Sequence, residues 1–255
     1  MVLVVALFNS EISLFFNNAK PVYELVTEVD NSNINAKTIL LGDSVCRQFY
    51  EANKTEELFC LCENQSYEVA GNYILLNMLL KNGANFKELV LMVNPETLTY
   101  ALNQDYTYNY FVKPFRKKLN YLSENEQEYI KKAFPESDVL KYKFSNYKIE
   151  DSLKTRGRNS QDSLEFSKIN LKYIEKIKLL CKQNNIAFRM RCPPLPNSSK
   201  SYIERFTTRT KKTFGTYFES VLYYDVKESK DGVHHRAPES YIEKNSKRLD
   251  DLVRS

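Results

Sequence analysis

A short apolar run followed by a helical stretch, repeated along the chain, constrains this sequence more than any other feature. Lys37–Gly42 (KTILLG), Glu57–Cys62 (ELFCLC), Glu88–Val93 (ELVLMV), Ile186–Cys192 (IAFRMRC) and Ser220–Asp225 (SVLYYD) each read as a buried strand. Helical patterns lie between them. Asp43 to Tyr50 reads as a loop turning into a helix, and Asn72–Lys81 is apolar nearly all round and stops at Asn82-Gly83. Leu164–Gln183 places Ile169, Tyr173, Ile174, Ile177 and Leu180 on one face. A last helix opens at Pro238 and runs to about Val253. The alternation predicts an α/β chain, with an about five-stranded parallel sheet and helices on both faces.

The 255 residues suffice for one such domain, assigned to 37–255. Residues from about 100 to 163 break the rhythm. They are polar, charged and Tyr-rich, with one helix around Glu124 to Phe134. That is too long for a plain connection, so it predicts an insertion beside the active face. The net charge of +5 arises there, between Phe111 and Arg158, and the rest of the chain balances. Two readings follow: a surface for anionic lipid or an acidic polymer, or a solvated helical insertion. No aromatic-basic module of the nucleic-acid-binding kind is present.

Residues 1–36 form a separate N-terminal segment. Met1 to Phe16 (MVLVVALFNSEISLFF) is apolar, but Glu11 interrupts it. It is shorter than the roughly 20 residues that span a bilayer, and it lacks the basic start and cleavage site of a signal peptide. It reads either as an element packed on the domain or as the tail of a membrane anchor.

The five cysteines are odd in number, and Cys60 and Cys62 are spaced C-x-C. With two His only, adjacent at His234 and His235, no zinc spacing exists. The expectation is no metal, no cofactor and small buried thiols.

Two motifs carry chemistry. Gly42-Asp43-Ser44 directly follows the first strand, where open α/β sheets form their sites. Taken alone, it also reads as a helix N-cap. Asp231-Gly232-Val233-His234 directly precedes the last helix. An Asp three residues before a His can hold the imidazole's tautomer and steady its charged form. Taken alone, Lys230-Asp231-Gly232 is also good turn chemistry.

Together, GDS after the first strand and DxxH before the last helix resemble the GDSL/SGNH hydrolases. Residues 38–94 and 186–250 carry the likeness. The resemblance implies a three-layer, flavodoxin-like fold and a triad of Ser44, His234 and Asp231. It also implies an oxyanion hole from the Ser44 N–H, Asn94 after the third strand and Gly71 after the second. The chain departs from the family's Gly-x-Asn-Asp pattern, with Leu91 at the Gly position and Pro95 after the Asn. Gly71 lies late, so it also reads as a packing glycine, with an N–H of Asn64, Gln65 or Ser66 in its place. Pro193-Pro194-Leu195-Pro196 matches a proline-containing loop of the family.

The activity so implied is that of a serine esterase or O-acyltransferase, with an acylated carbohydrate or small ester as substrate. The long insertion and the anchor-like start resemble cell-envelope members that handle O-acetyl groups of bacterial polysaccharides. The expected location is therefore the bacterial cell envelope, with the cytoplasm as the other reading. Tyr100 and Tyr106 are expected to contact substrate, and His235 reads either as a substrate contact or as a ring packed at the rim. The rival readings are a lipase or thioesterase, in which the Tyr-rich insertion is an apolar lid, and a non-catalytic binding protein that keeps the fold.

Overall fold

The computed structural model describes residues 19–64, 68–99, 102, 107–135, 166–210, 217 and 220–254. The described elements are α1 (Lys20–Asn31), β1 (Thr38–Gly42), α2 (Ser44–Tyr50), β2 (Leu58–Cys62), α3 (Glu68–Lys81), β3 (Glu88–Met92), α4 (Glu124–Ala133), α5 (Lys168–Gln183), β4 (Ala187–Arg191), β5 (Leu195–Pro196), α6 (Lys200–Thr210), β6 (Tyr223–Tyr224) and α7 (Pro238–Arg254). The protein is a mixed α/β chain.

Four strands pair in parallel in the order β2-β1-β3-β4. All five residues of β1 are buried, so the run TILLG is covered on both faces. The chain leaves β1 to one side for β2 and crosses to the other side for β3. That reversal is a topological switch point, and the crevice outside the carboxyl ends of β1 and β3 is where such sheets bind ligands. The register aligns the ends: Gly42 is level with Cys62 on one side and Met92 on the other. Gly42 is required there, because a Cβ would stand 2.1 Å from the Met92 carbonyl oxygen and 2.9 Å from Cys46 Cβ.

Two compact units can be distinguished. One is made of Asn35–Glu63, Asn85–Leu98 and Lys178–Ser255 and carries every strand among the described residues. Its core lies where α2 and α7 cover one face of the sheet. Leu40, Cys60, Val90 and Met92 meet Cys46, Phe49 and Tyr50 from α2 and Tyr241, Leu249 and Leu252 from α7. The Tyr50 hydroxyl donates to the Leu249 carbonyl at 2.9 Å. The last carbonyls of α7 find partners on β4: Arg189 donates to Val253 at 2.7 Å and Arg191 to Leu252 at 3.2 Å. Carbonyls without an intrahelical partner are thereby satisfied by cations, at the end of the helix that favours them.

The other unit comprises the described parts of Met1–Ile34, Asn64–Ala84 and Thr99–Ile177. In it α1 buries Val22, Leu25, Val26 and Val29. Asn82, just past α3, donates from Nδ2 to the carbonyls of Val29 and Asp30 and so closes the end of α1.

The expected fifth strand is not in the main sheet. Only Tyr223–Tyr224 of Ser220–Asp225 is extended in a ladder, and it pairs in parallel with Leu195–Pro196 as a separate two-stranded piece. Pro193, Pro194 and Pro196 have no N–H, so no long ladder can run through this stretch and the pairing stops at two residues. Residues 1–18 and most of the 100–163 insertion lie outside the described residues. No described helix is long and apolar enough to cross a membrane.

Candidate active site

The site begins with Asp43. Its extended backbone makes it the N-cap of α2, and Oδ1 accepts the N–H groups of Val45 at 3.0 Å and Cys46 at 3.1 Å. Its other oxygen reaches away from the helix. Oδ2 accepts the Asn94 N–H at 2.6 Å and the Thr97 hydroxyl at 3.2 Å. One buried carboxylate therefore ties the turn after β1 to the turn after β3. Burial pushes its pKa up, against the four hydrogen bonds, which pull it down.

Ser44 is the first residue of α2, and its Oγ lies 3.0 Å from His234 Nε2. The other ring nitrogen, Nδ1, lies 2.9 Å from Asp231 Oδ2. Asp231 also builds the loop that carries the histidine: its Oδ1 accepts the N–H groups of Val233 at 3.0 Å and His234 at 2.8 Å. Gly232 between them has φ of +84°, where a side chain would be strained. The loop is closed from both sides. Lys230 donates its N–H to the His234 carbonyl at 2.7 Å, and the Tyr224 hydroxyl donates to the Val233 carbonyl at 2.8 Å.

Partial burial works to raise the Asp231 pKa. The N–H and imidazole of His234 and the N–H of Val233 outweigh it and hold the carboxyl below the ordinary value. Asp231 therefore stays ionised over the range in which a histidine can act as a base. The His234 side chain is 34 % exposed, so the ring is reachable from solvent.

A second bond joins α2 to this loop. Gln48, one turn beyond Ser44, accepts the His235 N–H on Oε1 at 2.8 Å. Ser44 and Gln48 are four residues apart and share a helix face, so nucleophile and brace meet the loop together. Arg47 lies beside them and donates from Nη1 to both oxygens of buried Glu63, each at 2.9 Å.

Asn94 is buried, and its Oδ1 accepts the Glu96 N–H at 3.1 Å. That donor fixes which way the amide faces and leaves Nδ2 as its donating end. The other expected site residues fall elsewhere. His235 turns inward and is 7 % exposed, with Nδ1 accepting the Ala237 N–H at 3.0 Å. Its ring packs among Tyr224 at 4.8 Å, Tyr241 at 5.3 Å and Phe49 at 6.4 Å between centroids, so it belongs to the core and offers no face to a substrate. Gly71 is buried in the first turn of α3, in the other unit. Tyr100 and Tyr106, like Gln65 and Ser66, lie outside the described residues.

All five cysteines are buried free thiols. Among the described residues no group of three or more His, Cys, Asp or Glu is placed to hold a metal ion.

Sequence reasoning missed three residues of this arrangement: Gln48, Thr97 and the outward half of Asp43. For Asp43 a signal existed, because an N-cap carboxylate uses one oxygen on the helix and a buried one needs a partner for the second.

No family model matches this chain, and no curated protein matches it. Among solved structures, a Streptococcus pneumonia protein provisionally described as a platelet activating factor is similar over 98 % of this chain and 99 % of that one, at 12 % identity and a TM-score of 0.43.

Proposed function

We propose that this chain is a serine esterase or O-acyltransferase of the GDSL/SGNH kind, acting on ester-linked acyl groups, with acetylated carbohydrate as the preferred substrate class. One observation carries the reading: Ser44 Oγ, the two ring nitrogens of His234 and Asp231 Oδ2 follow one another at 3.0 and 2.9 Å. Hydroxyl, imidazole and carboxylate in that sequence form the arrangement that activates a serine. Its location at the switch point of a parallel sheet supports the same reading.

In this reading His234 Nε2 takes the Ser44 proton as Oγ attacks the ester carbonyl. Asp231, ionised, holds the proton on Nδ1 and steadies the imidazolium. The oxyanion forms near the Ser44 N–H and the Nδ2 end of Asn94, and one such donor is worth about 3–4 kcal/mol of barrier. The imidazolium then protonates the leaving alkoxide. In the second half His234 deprotonates water or a sugar hydroxyl, which attacks the acyl-serine and releases Ser44. Asp43 takes no part in proton transfer; it holds the two turns that carry Ser44 and Asn94.

A fluorophosphonate probe tests this. The full chain should be labelled on Ser44 at neutral pH, and Ser44→Ala should take up none. Acetate release from acetylated xylan and from p-nitrophenyl acetate should vanish in the same variant. Labelling equal in the two proteins would exclude the reading.

The Gln48 brace has its own expected result. Gln48→Leu removes the acceptor for the His235 N–H, so His234 is held less well against Ser44. The loss should fall on kcat, on the order of 10-fold to 100-fold, with KM for p-nitrophenyl acetate nearly unchanged. Gln48→Glu restores the acceptor and should recover most of the rate. If both variants lose activity equally, the bond to His235 is not what matters.

A further inference from the structure

The peptide that joins Val93 to Asn94 is held on both sides. It lies just past β3, at the carboxyl end of the sheet, and its N–H and carbonyl point opposite ways, as in any trans peptide. Asp43 Oδ2, beside β1, accepts the N–H at 2.6 Å. The carbonyl therefore turns to the β4 side, where it accepts the Tyr217 hydroxyl at 2.5 Å.

That carbonyl would otherwise lack its ladder donor. The β3–β4 ladder opens with the Ala187 N–H on the Lys87 carbonyl at 2.9 Å and runs in register to Met92 and Arg191. In a parallel pair the same bond recurs at every second residue. Carried on at that spacing, the ladder sets the Val93 carbonyl against residue 193, which is a proline with no N–H to give. The Tyr217 hydroxyl stands in for the missing donor. Its side chain is fully buried. Burial, with Cys192 and Asp43 nearby, pushes its pKa well above the ordinary phenol value, so the hydroxyl keeps its proton and donates.

Asn94 is thus fixed at three points. Its N–H is on Asp43, the carbonyl before it is on Tyr217, and its Oδ1 accepts the Glu96 N–H at 3.1 Å. What remains is Nδ2, the end that meets the oxyanion in the esterase reading above. A donor held in this way needs no reorganisation as charge develops, and that preorganisation is the source of oxyanion stabilisation.

We infer that Tyr217 is a positioning residue for the acyl-transfer reaction: its hydroxyl replaces the N–H that Pro193 lacks and holds the Val93–Asn94 peptide so that Asn94 Nδ2 is aimed at the oxyanion. The inference rests on the esterase reading, and it makes Tyr217 act on the rate through Asn94.

A double-mutant cycle tests this, with kcat and KM for p-nitrophenyl acetate as the readout. Tyr217→Phe removes the hydroxyl and keeps the ring. It should lower kcat by about 10-fold with KM nearly unchanged. Asn94→Ala should lower kcat by about 100-fold or more. Added to Asn94→Ala, Tyr217→Phe should cost less than about twofold, because the group it aims is gone. A hydroxyl that served the fold alone would lower the rate equally in both backgrounds, so an equal loss overturns the assignment. So does wild-type kcat in Tyr217→Phe, or a loss that falls on KM.

Pro193→Ala supplies an N–H at that ladder position. Added to Tyr217→Phe, it should bring kcat back to within about threefold of wild type. If Tyr217→Phe alone does not fold by circular dichroism, the same double variant decides: recovery of fold and rate supports the assignment, and no gain in either overturns it. Ser44→Ala separates the two readings. If it keeps the wild-type rate, the esterase reading falls and this inference with it. If it is inactive and the cycle is additive, the esterase reading stands and the role of Tyr217 falls.

Discussion

His234→Ala should lower kcat/KM for p-nitrophenyl acetate by a factor on the order of 10³–10⁵, and the rate of fluorophosphonate labelling with it. The ring stands 3.0 Å from Ser44 Oγ and is the only base within reach among the groups bonded to that hydroxyl in the described residues. Without it the serine must lose its proton to water. What survives is the contribution of the oxyanion donors and of binding, which is why the loss is not total. A variant that keeps more than a tenth of wild-type activity would mean that Ser44 is not activated through His234.

Asp231→Asn should cost about 10²–10⁴, through a different route. Oδ1 of Asp231 is pinned by the N–H groups of Val233 and His234. An asparagine must therefore keep its oxygen there and turn its NH₂ toward His234 Nδ1. That nitrogen then accepts, the ring proton moves to Nε2, and Nε2 can no longer take the proton of Ser44. The variant should remain folded with the loop intact, so its thermal midpoint should fall far less than its rate.

The pH dependence has a defined sign. The folded pKa of Asp231 lies below the ordinary carboxylate value. Its support of the loop is present above the unfolded value and is lost as pH falls through the lower folded one. Amide shifts of Val233 and His234 should report that loss, and Asp231→Asn should not show it.

The strands of the main sheet were legible because each is an apolar run with a clear stop. β1 occupies all but the first residue of KTILLG, and β2 and β3 sit within ELFCLC and ELVLMV. The fifth run was not legible as what it is. SVLYYD has the composition of a strand, but whether it joins the sheet depends on its neighbour, and that neighbour is a stretch of prolines. Ser44, Asp231 and His234 stood out because GDS and DxxH are local signals, readable within four residues. Gln48 and Thr97 carry no such signal. Each is a lone polar residue whose partner lies 187 or 54 positions away, and only the fold decides which one it meets. His235 misled by adjacency. Consecutive residues in a loop can face opposite ways, and the ring beside the exposed one is buried against three aromatics.

Asp43→Ala should destabilise the fold by about 3–5 kcal/mol, read as a fall in the urea midpoint at unchanged slope. The carboxylate answers four donors at once, three of them backbone N–H groups, and none has water to turn to. Leaving a buried donor unmatched costs roughly 1–3 kcal/mol each, less what relaxation recovers. Asp43→Asn should cost less, about 2 kcal/mol, because one oxygen still serves two donors while the NH₂ opposes the other two. Both variants should lose labelling of Ser44 beyond their loss of fold, since the turns that carry Ser44 and Asn94 are no longer held together. Burial raises the pKa of Asp43, so its contribution to stability is fully present below the unfolded carboxylate value and declines as pH rises through the folded one. The asparagine lacks this dependence. The stability gap between wild type and Asp43→Asn should therefore narrow as pH climbs out of the acid range. A gap that widens instead would mean that the four hydrogen bonds outweigh the desolvation of the carboxylate, and that it is the ionised Asp43 the fold is built to favour.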